Sequence, residues 1–108
     1  MIAIISDNLD QIAALCREYR IRKLDLFGSA SSDAFDPETS DVDLIADLGE
    51  YERGVSNRFF RFADALEALF GRKVDLLTES MIRNPYFRQA VEEQRVNLYE
   101  TRDRQAAA

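Results

Sequence analysis

The residues best equipped for chemistry in this 108-residue chain are acidic. Asp41 and Asp43 stand two apart in Asp41-Val42-Asp43-Leu44, and Asp75 stands in Val74-Asp75-Leu76. On a strand, residues i and i+2 point to one face, about 7 Å apart. Two carboxylates so placed repel each other and resist ionisation unless a hard divalent cation bridges them. Alone, Asp-x-Asp reads first as a solvated polar face. Asp75 changes the balance, because it repeats the Val-Asp-Leu triplet of Asp43. An aspartate between apolar residues in mid-strand runs against strand propensity and needs a reason. A third carboxylate offered to the same cation from a second strand is such a reason. Gly28-Ser29 follows a strand-like run, and that geometry presents backbone N–H groups to a phosphate, with glycine allowing close approach. Ser40 precedes Asp41, where it caps the turn or donates to a ligand. A phosphate cradle beside a carboxylate cluster is what Mg²⁺-dependent phosphoryl chemistry requires.

Composition removes the competing chemistries. There is no His, which excludes Ser-His-Asp and Cys-His catalysis and histidine metal sites. The one cysteine, Cys16, excludes an internal disulfide and a cysteine zinc cluster. It lies on an apolar helical stripe and reads as core. The net charge of −6 argues against direct nucleic-acid binding and against anionic membranes. No apolar run approaches the ~20 residues of a membrane span. The start of the chain is too short and lacks the basic flank for a signal peptide, so the expected location is cytoplasmic. The length predicts a single domain over 1–108, with a core of about 9–100 and 101–108 as a frayed tail. The oligomeric state is left open.

The elements that must position these carboxylates follow from periodicity. Leu9, Ile12, Ala13, Cys16 and Tyr19 recur at helical spacing, predicting a helix over 7–20 with Ser6 as N-cap. Residues 22–27 alternate as a strand that Gly28 ends. Residues 30–40 are small, polar and turn-rich. Over 41–48, Val42, Leu44, Ala46 and Leu48 take one face, and Asp41, Asp43, Ile45 and Asp47 take the other. A helix after Gly54 carries the stripe Phe59, Phe62, Ala63, Leu66, Leu69 and Phe70, closed by Gly71. Val74–Leu77 is a short strand, Thr78 opens an irregular piece, and Asn84-Pro85 starts a helix. Val96–Tyr99 is the last strand. Alternating helices and strands predict an α/β (α+β) fold with one small mixed sheet and helices packed against it. The first two strands pair antiparallel, and the later ones, reached through helices, run parallel to a neighbour.

Gly28-Ser29, eleven intervening residues and Asp41-Val42-Asp43-Leu44 resemble the Gly-Ser…Asp-hydrophobic-Asp signature of the nucleotidyltransferase superfamily that includes DNA polymerase beta. Asp75 after an intervening helix fits the same pattern. The short chain, Phe70–Leu76 and the ending at Val96–Glu100 look like its minimal nucleotidyltransferase (MNT) branch, commonly the antitoxin of a HEPN-type toxin. The resemblance spans roughly 9–100. It implies that Gly28 and Ser29 bind the phosphates of a nucleoside triphosphate, and Ser40, by its place before Asp41, is the further phosphate-binding candidate. It implies Mg²⁺ on Asp41, Asp43 and Asp75, with Asp75 also drawing the proton from an attacking hydroxyl. It implies transfer of a nucleoside monophosphate, AMP from ATP, to a hydroxyl of the toxin.

One departure stands out. Members of the family often carry Arg directly after Gly-Ser and again two residues on, whereas this chain has Ala30 and Ser32. No basic residue occurs between Lys23 and Arg53, and losing guanidinium contacts weakens triphosphate binding. Arg22, Lys23, Arg72 and Lys73 each read first as a solvated surface charge, with compensation from a strand end as the alternative. The departure sustains a second reading, an antitoxin or interaction module that neutralises its partner by binding alone. Asp47 reads as solvated, Asp25 as facing away from Leu24 and Leu26, and Phe60 as off its helix's apolar stripe.

Overall fold

The computed structural model describes residues 2–28 and 41–101. Ser29, Ala30, Ser32 and Ser40 lie outside the described residues, as does the tail beyond 101. The element order is α1 (Ala3–Ser6), α2 (Leu9–Glu18), β1 (Lys23–Phe27), β2 (Val42–Asp47), α3 (Val55–Phe70), β3 (Val74–Leu77), a 3₁₀ turn (Glu79–Met81), α4 (Pro85–Gln94) and β4 (Val96–Glu100).

The N-terminal segment departs from the single helix expected over 7–20. Ser6 ends α1, and its hydroxyl bonds back to the carbonyls of Ile2 and Ala3 instead of capping α2. The cause is Ile5, which is fully buried in the main core. Coiling the apolar N-terminus onto that core removes more apolar surface from water than extending α2 would. The other helix ends follow their chemistry. Gly71 closes α3 in the left-handed region, and the Asn84 side chain accepts from the Tyr86 and Phe87 N–H groups at the start of α4.

The sheet order is β3-β2-β1-β4. β1 and β2 are antiparallel, and β2 and β3 are parallel. β4 was expected to run parallel to its neighbour, but it pairs antiparallel with β1. The physical reason is the crossing made by α4. It carries the chain over the sheet to the far edge, so β4 points the same way as β3 yet meets β1, which runs oppositely. A bulge between Leu24 and Asp25 lets both Leu98 and Tyr99 pack on the main core while Asn97 stays opposite Asp25.

The two faces are unequal. Leu24, Leu26, Val42, Leu44, Ala46, Val74 and Leu76 pack against Ile5, Ile12, Cys16, Phe62, Leu66 and Phe70. The opposite face holds a smaller cluster of Phe27, Ile45, Ile82 and Val91, with Leu77 beside it. Alternation puts Asp25, Asp43 and Asp75 on this second face. No helix among the described residues is long and apolar enough to cross a membrane.

Candidate active site

One end of the sheet gathers the acidic residues. There β1 finishes at Phe27, while β2, β3 and β4 all begin. Asp43 stands in register with Asp75 on one side and with Phe27 on the other. The two carboxylates therefore project from adjacent strands on the same face. Asp41 immediately precedes β2 and is half-buried; Asp75 is exposed.

Asp43 carries the electrostatic signature of the site. Its pKa is pushed from the ordinary 3.8 up to about 6, first by burial and then by the negative charges of Asp75 and Asp41. Gly28 sits directly against it. A Cβ on Gly28 would lie 2.3 Å from Asp43 Oδ2, and the residue has a φ of +72°. Glycine is required here twice over, for the backbone conformation and for the space that the carboxylate fills. The Gly28 N–H donates to Gln94 Oε1 at 3.1 Å. Thus the end of α4 reaches the same corner.

Two other strand aspartates have different occupations. Asp47 lies at the opposite end of β2, where its Oδ1 accepts from the Gly49 N–H at 2.8 Å and shapes a turn. Asp25 is 2 % exposed. Its Oδ2 accepts from Arg95 Nε at 2.8 Å and its Oδ1 from Asn97 Nδ2 at 2.9 Å. Gln94, Arg95 and Asn97 escaped the reading of the sequence. The available signal was Asp25 itself, since a buried carboxylate demands a cation. No local rule selects a partner 70 residues away.

Mg²⁺ fits this donor set. Among the described residues no three His, Cys, Asp or Glu side chains converge into a metal cage, so Asp41, Asp43 and Asp75 do not form the three-carboxylate cluster expected from the sequence. Mg²⁺ does not require one, because it takes one or two carboxylates together with substrate phosphates and retained waters. The register of Asp43 and Asp75 supplies such a pair, and their mutual repulsion is the charge that a dication offsets.

Residues 10–98 match the nucleotidyltransferase domain family. The chain belongs to that family. It is a nucleotidyltransferase-type enzyme, with Asp43 of its Asp-x-Asp motif near the start of β2 and Asp41 immediately before that strand. Among its relatives is a Methanocaldococcus jannaschii protein named "Putative protein adenylyltransferase", 33% identical over 90 residues that cover 82% of this chain and 89% of that one. The nucleotidyltransferase fold is shared with two solved structures. One is a toxin–antitoxin with AMP-PNP, matched with a TM-score of 0.65 at 21% identity over 93% of this chain and 79% of that one. The other is a tri-AMPylated Shewanella oneidensis HEPN toxin in complex with an MNT antitoxin. It is matched with a TM-score of 0.59 at 20% identity over 94% of this chain and 77% of that one.

Proposed function

We infer that this nucleotidyltransferase moves AMP from ATP to a hydroxyl of a protein partner, a HEPN-type toxin, with Mg²⁺. The observation that carries the reading is the in-register Asp43–Asp75 pair on one face with Gly28 closed against Asp43. Likeness to a protein named as an adenylyltransferase and to the fold of an MNT antitoxin supports it. Asp43 and Asp75 would hold Mg²⁺, with Asp41 adding its negative charge just ahead of β2, and the ion when bound would neutralise charge on the phosphate oxygens. Gly28, Ser29 and Ser40 would hold the phosphates. Asp75, the exposed member, would receive the proton of the acceptor hydroxyl. The hydroxyl oxygen bonds to the α-phosphorus, the bond from that phosphorus to the β-bridging oxygen breaks, and pyrophosphate leaves.

A second reading is neutralisation by binding alone. The specific observation that favours it is an apolar groove of about 480 Å³ at the other end of β2, lined by Leu48, Phe59, Phe60 and Met81 with Tyr51 at its rim. Tyr51, Phe60 and Met81 are exposed there, a contiguous apolar surface of the kind that partners cover.

Incubating the protein with its partner toxin, ATP and Mg²⁺ and recording intact masses separates the two. Transfer predicts one or more AMP additions that vanish with Asp43→Asn. Unmodified toxin that is fully neutralised, equally by parent and Asp43→Asn, would establish binding alone.

A further inference from the structure

The acidic corner is braced from outside the sheet. The β1–β4 register runs out at Leu26 and Val96, and the β1–β2 register at Phe27 and Asp43. Gly28 is the first residue past both. Its N–H is nevertheless held, by Gln94 Oε1 at 3.1 Å, on the last residue of α4 and 66 residues further along the chain. Gln94 is exposed, so burial does not choose its conformation, and ordering its side chain costs rotamer entropy that this contact must offset.

The neighbour of Gln94 fixes where it starts. Arg95 bonds to Asp25 on β1, to Glu79 in the 3₁₀ turn and to Glu92 on α4, and its N–H donates to the Val91 carbonyl at 2.8 Å. Two consecutive residues at the α4–β4 junction therefore grip β1, one at Asp25 and the other just past its end at Gly28. Phe87 adds a contact from the start of α4, its ring edge-on to Phe27 with centroids 6.0 Å apart. What the grip controls is Asp43. Asp43 Oδ2 fills the space that a Cβ on Gly28 would need, so the Gly28 backbone is one wall of the carboxylate's surroundings. Were that wall free to move, the carboxylate would gain room to turn about χ1. A metal ligand works only when its orientation is held by what surrounds it.

We propose that Gln94 is a positioning residue for the candidate active site: by holding the Gly28 peptide it keeps the Asp43 carboxylate in one orientation for the metal. The assignment rests on the reading of Asp43 and Asp75 as metal ligands. It makes the α4–β4 junction, which supplies no carboxylate to the site, a determinant of metal affinity.

Mn²⁺, a cation suited to carboxylate and water ligands, is the probe on the intact protein. Gln94→Met keeps the length of the side chain and removes the acceptor. It should speed hydrogen exchange of the Gly28 amide about fivefold, the worth of one exposed hydrogen bond. It should weaken Mn²⁺ binding, read by calorimetry, about tenfold, the low end of what the supporting partners of metal ligands contribute. Three-bond couplings at Asp43, measured without metal, should report one χ1 rotamer in the parent and an average in the variant. Gln89→Met, the same change at an exposed position of α4, should match the parent in all three. Parent-like behaviour of Gln94→Met in any of the three would overturn the role of Gln94 and leave the nucleotidyltransferase reading standing. Tighter Mn²⁺ binding by Gln94→Met would overturn it as well, because the side chain would then be an obstacle. A parent that binds no Mn²⁺ overturns both the role of Gln94 and the metal reading of Asp43 and Asp75.

Discussion

Asp43 is a residue whose folded environment works against its own charge. Its pKa lies above the ordinary value, so the fold binds the protonated form better than the unfolded chain does. In metal-free protein its contribution to stability is therefore greatest below about pH 4. It declines as pH rises toward about 6 and stays at that reduced level above. Asp43→Asn removes the charge and keeps the shape. It should stabilise the metal-free protein at pH 7.5 by about 1 kcal/mol, a figure held down by solvent screening at a half-buried group. The gain should shrink by pH 5. Melting curves in a chelator at the two pH values check this, and a lower midpoint for the variant at pH 7.5 would contradict it. Gly28 obeys a related logic with the opposite sign. Gly28→Ala forces a Cβ into Asp43 Oδ2 at a backbone conformation that alanine resists. We expect a loss of about 1–3 kcal/mol and a parallel loss of nucleotide binding, read by denaturant titration and calorimetry. The aspartates were legible in the sequence because an acid inside an apolar alternation is conspicuous. The dependence of Asp43 on Gly28 was not, because it is a contact between two strands.

At the scale of elements, α4 is the piece whose placement decides the most. Its last residue reaches Gly28, and Arg95, between α4 and β4, ties together Asp25, Glu79 and Glu92. Burial opposes the charge on Arg95, but its hydrogen bonds to Glu79, Glu92 and Asp25 outweigh this and hold it protonated. The same hydrogen bond to Arg95 holds the Glu79 carboxyl below its usual range. Arg95→Met would leave Asp25 buried and short of its main cation, at a cost of about 3 kcal/mol. Adding Asp25→Asn should recover most of that loss, since the uncompensated charge goes with it. Urea unfolding of the two single variants and the double variant measures the coupling. An additive double variant would mean that the ion pair is not the cause. The existence of α4 and β4 was readable from Asn84-Pro85 and from Val96–Tyr99. The antiparallel pairing of β4 with β1 was not, because a strand's partner is chosen by nonlocal contacts such as this one. Likewise the periodicity of α2 was plain, while the separate α1 depended on the distant core that buries Ile5.

For the whole molecule, the division of labour is between the two ends of β2. The end beginning at Asp41 holds the carboxylates and Gly28; the end at Asp47 holds the apolar groove. In the proposed reading, chemistry and partner contact fall at opposite ends of one strand about 20 Å long. Phe60→Ser, on the groove rim, should weaken toxin association at least tenfold while leaving Mg·ATP affinity within twofold of the parent. Pull-down and calorimetry on the same variant test the separation, and a joint loss of both activities would refute it. This arrangement has a consequence for how the chain comes into being. β1 is the second strand from the edge, and its outer neighbour, β4, is the last strand among the described residues. At about 5–20 residues per second, the ribosome needs roughly 4–15 s to travel from Phe27 to Glu100. Through that interval β1 has one hydrogen-bonding edge bare, and Asp25 waits for an arginine not yet made. The nascent chain can close its local helices early, but the four-stranded sheet that carries the acidic corner is not complete until Glu100 has been synthesised.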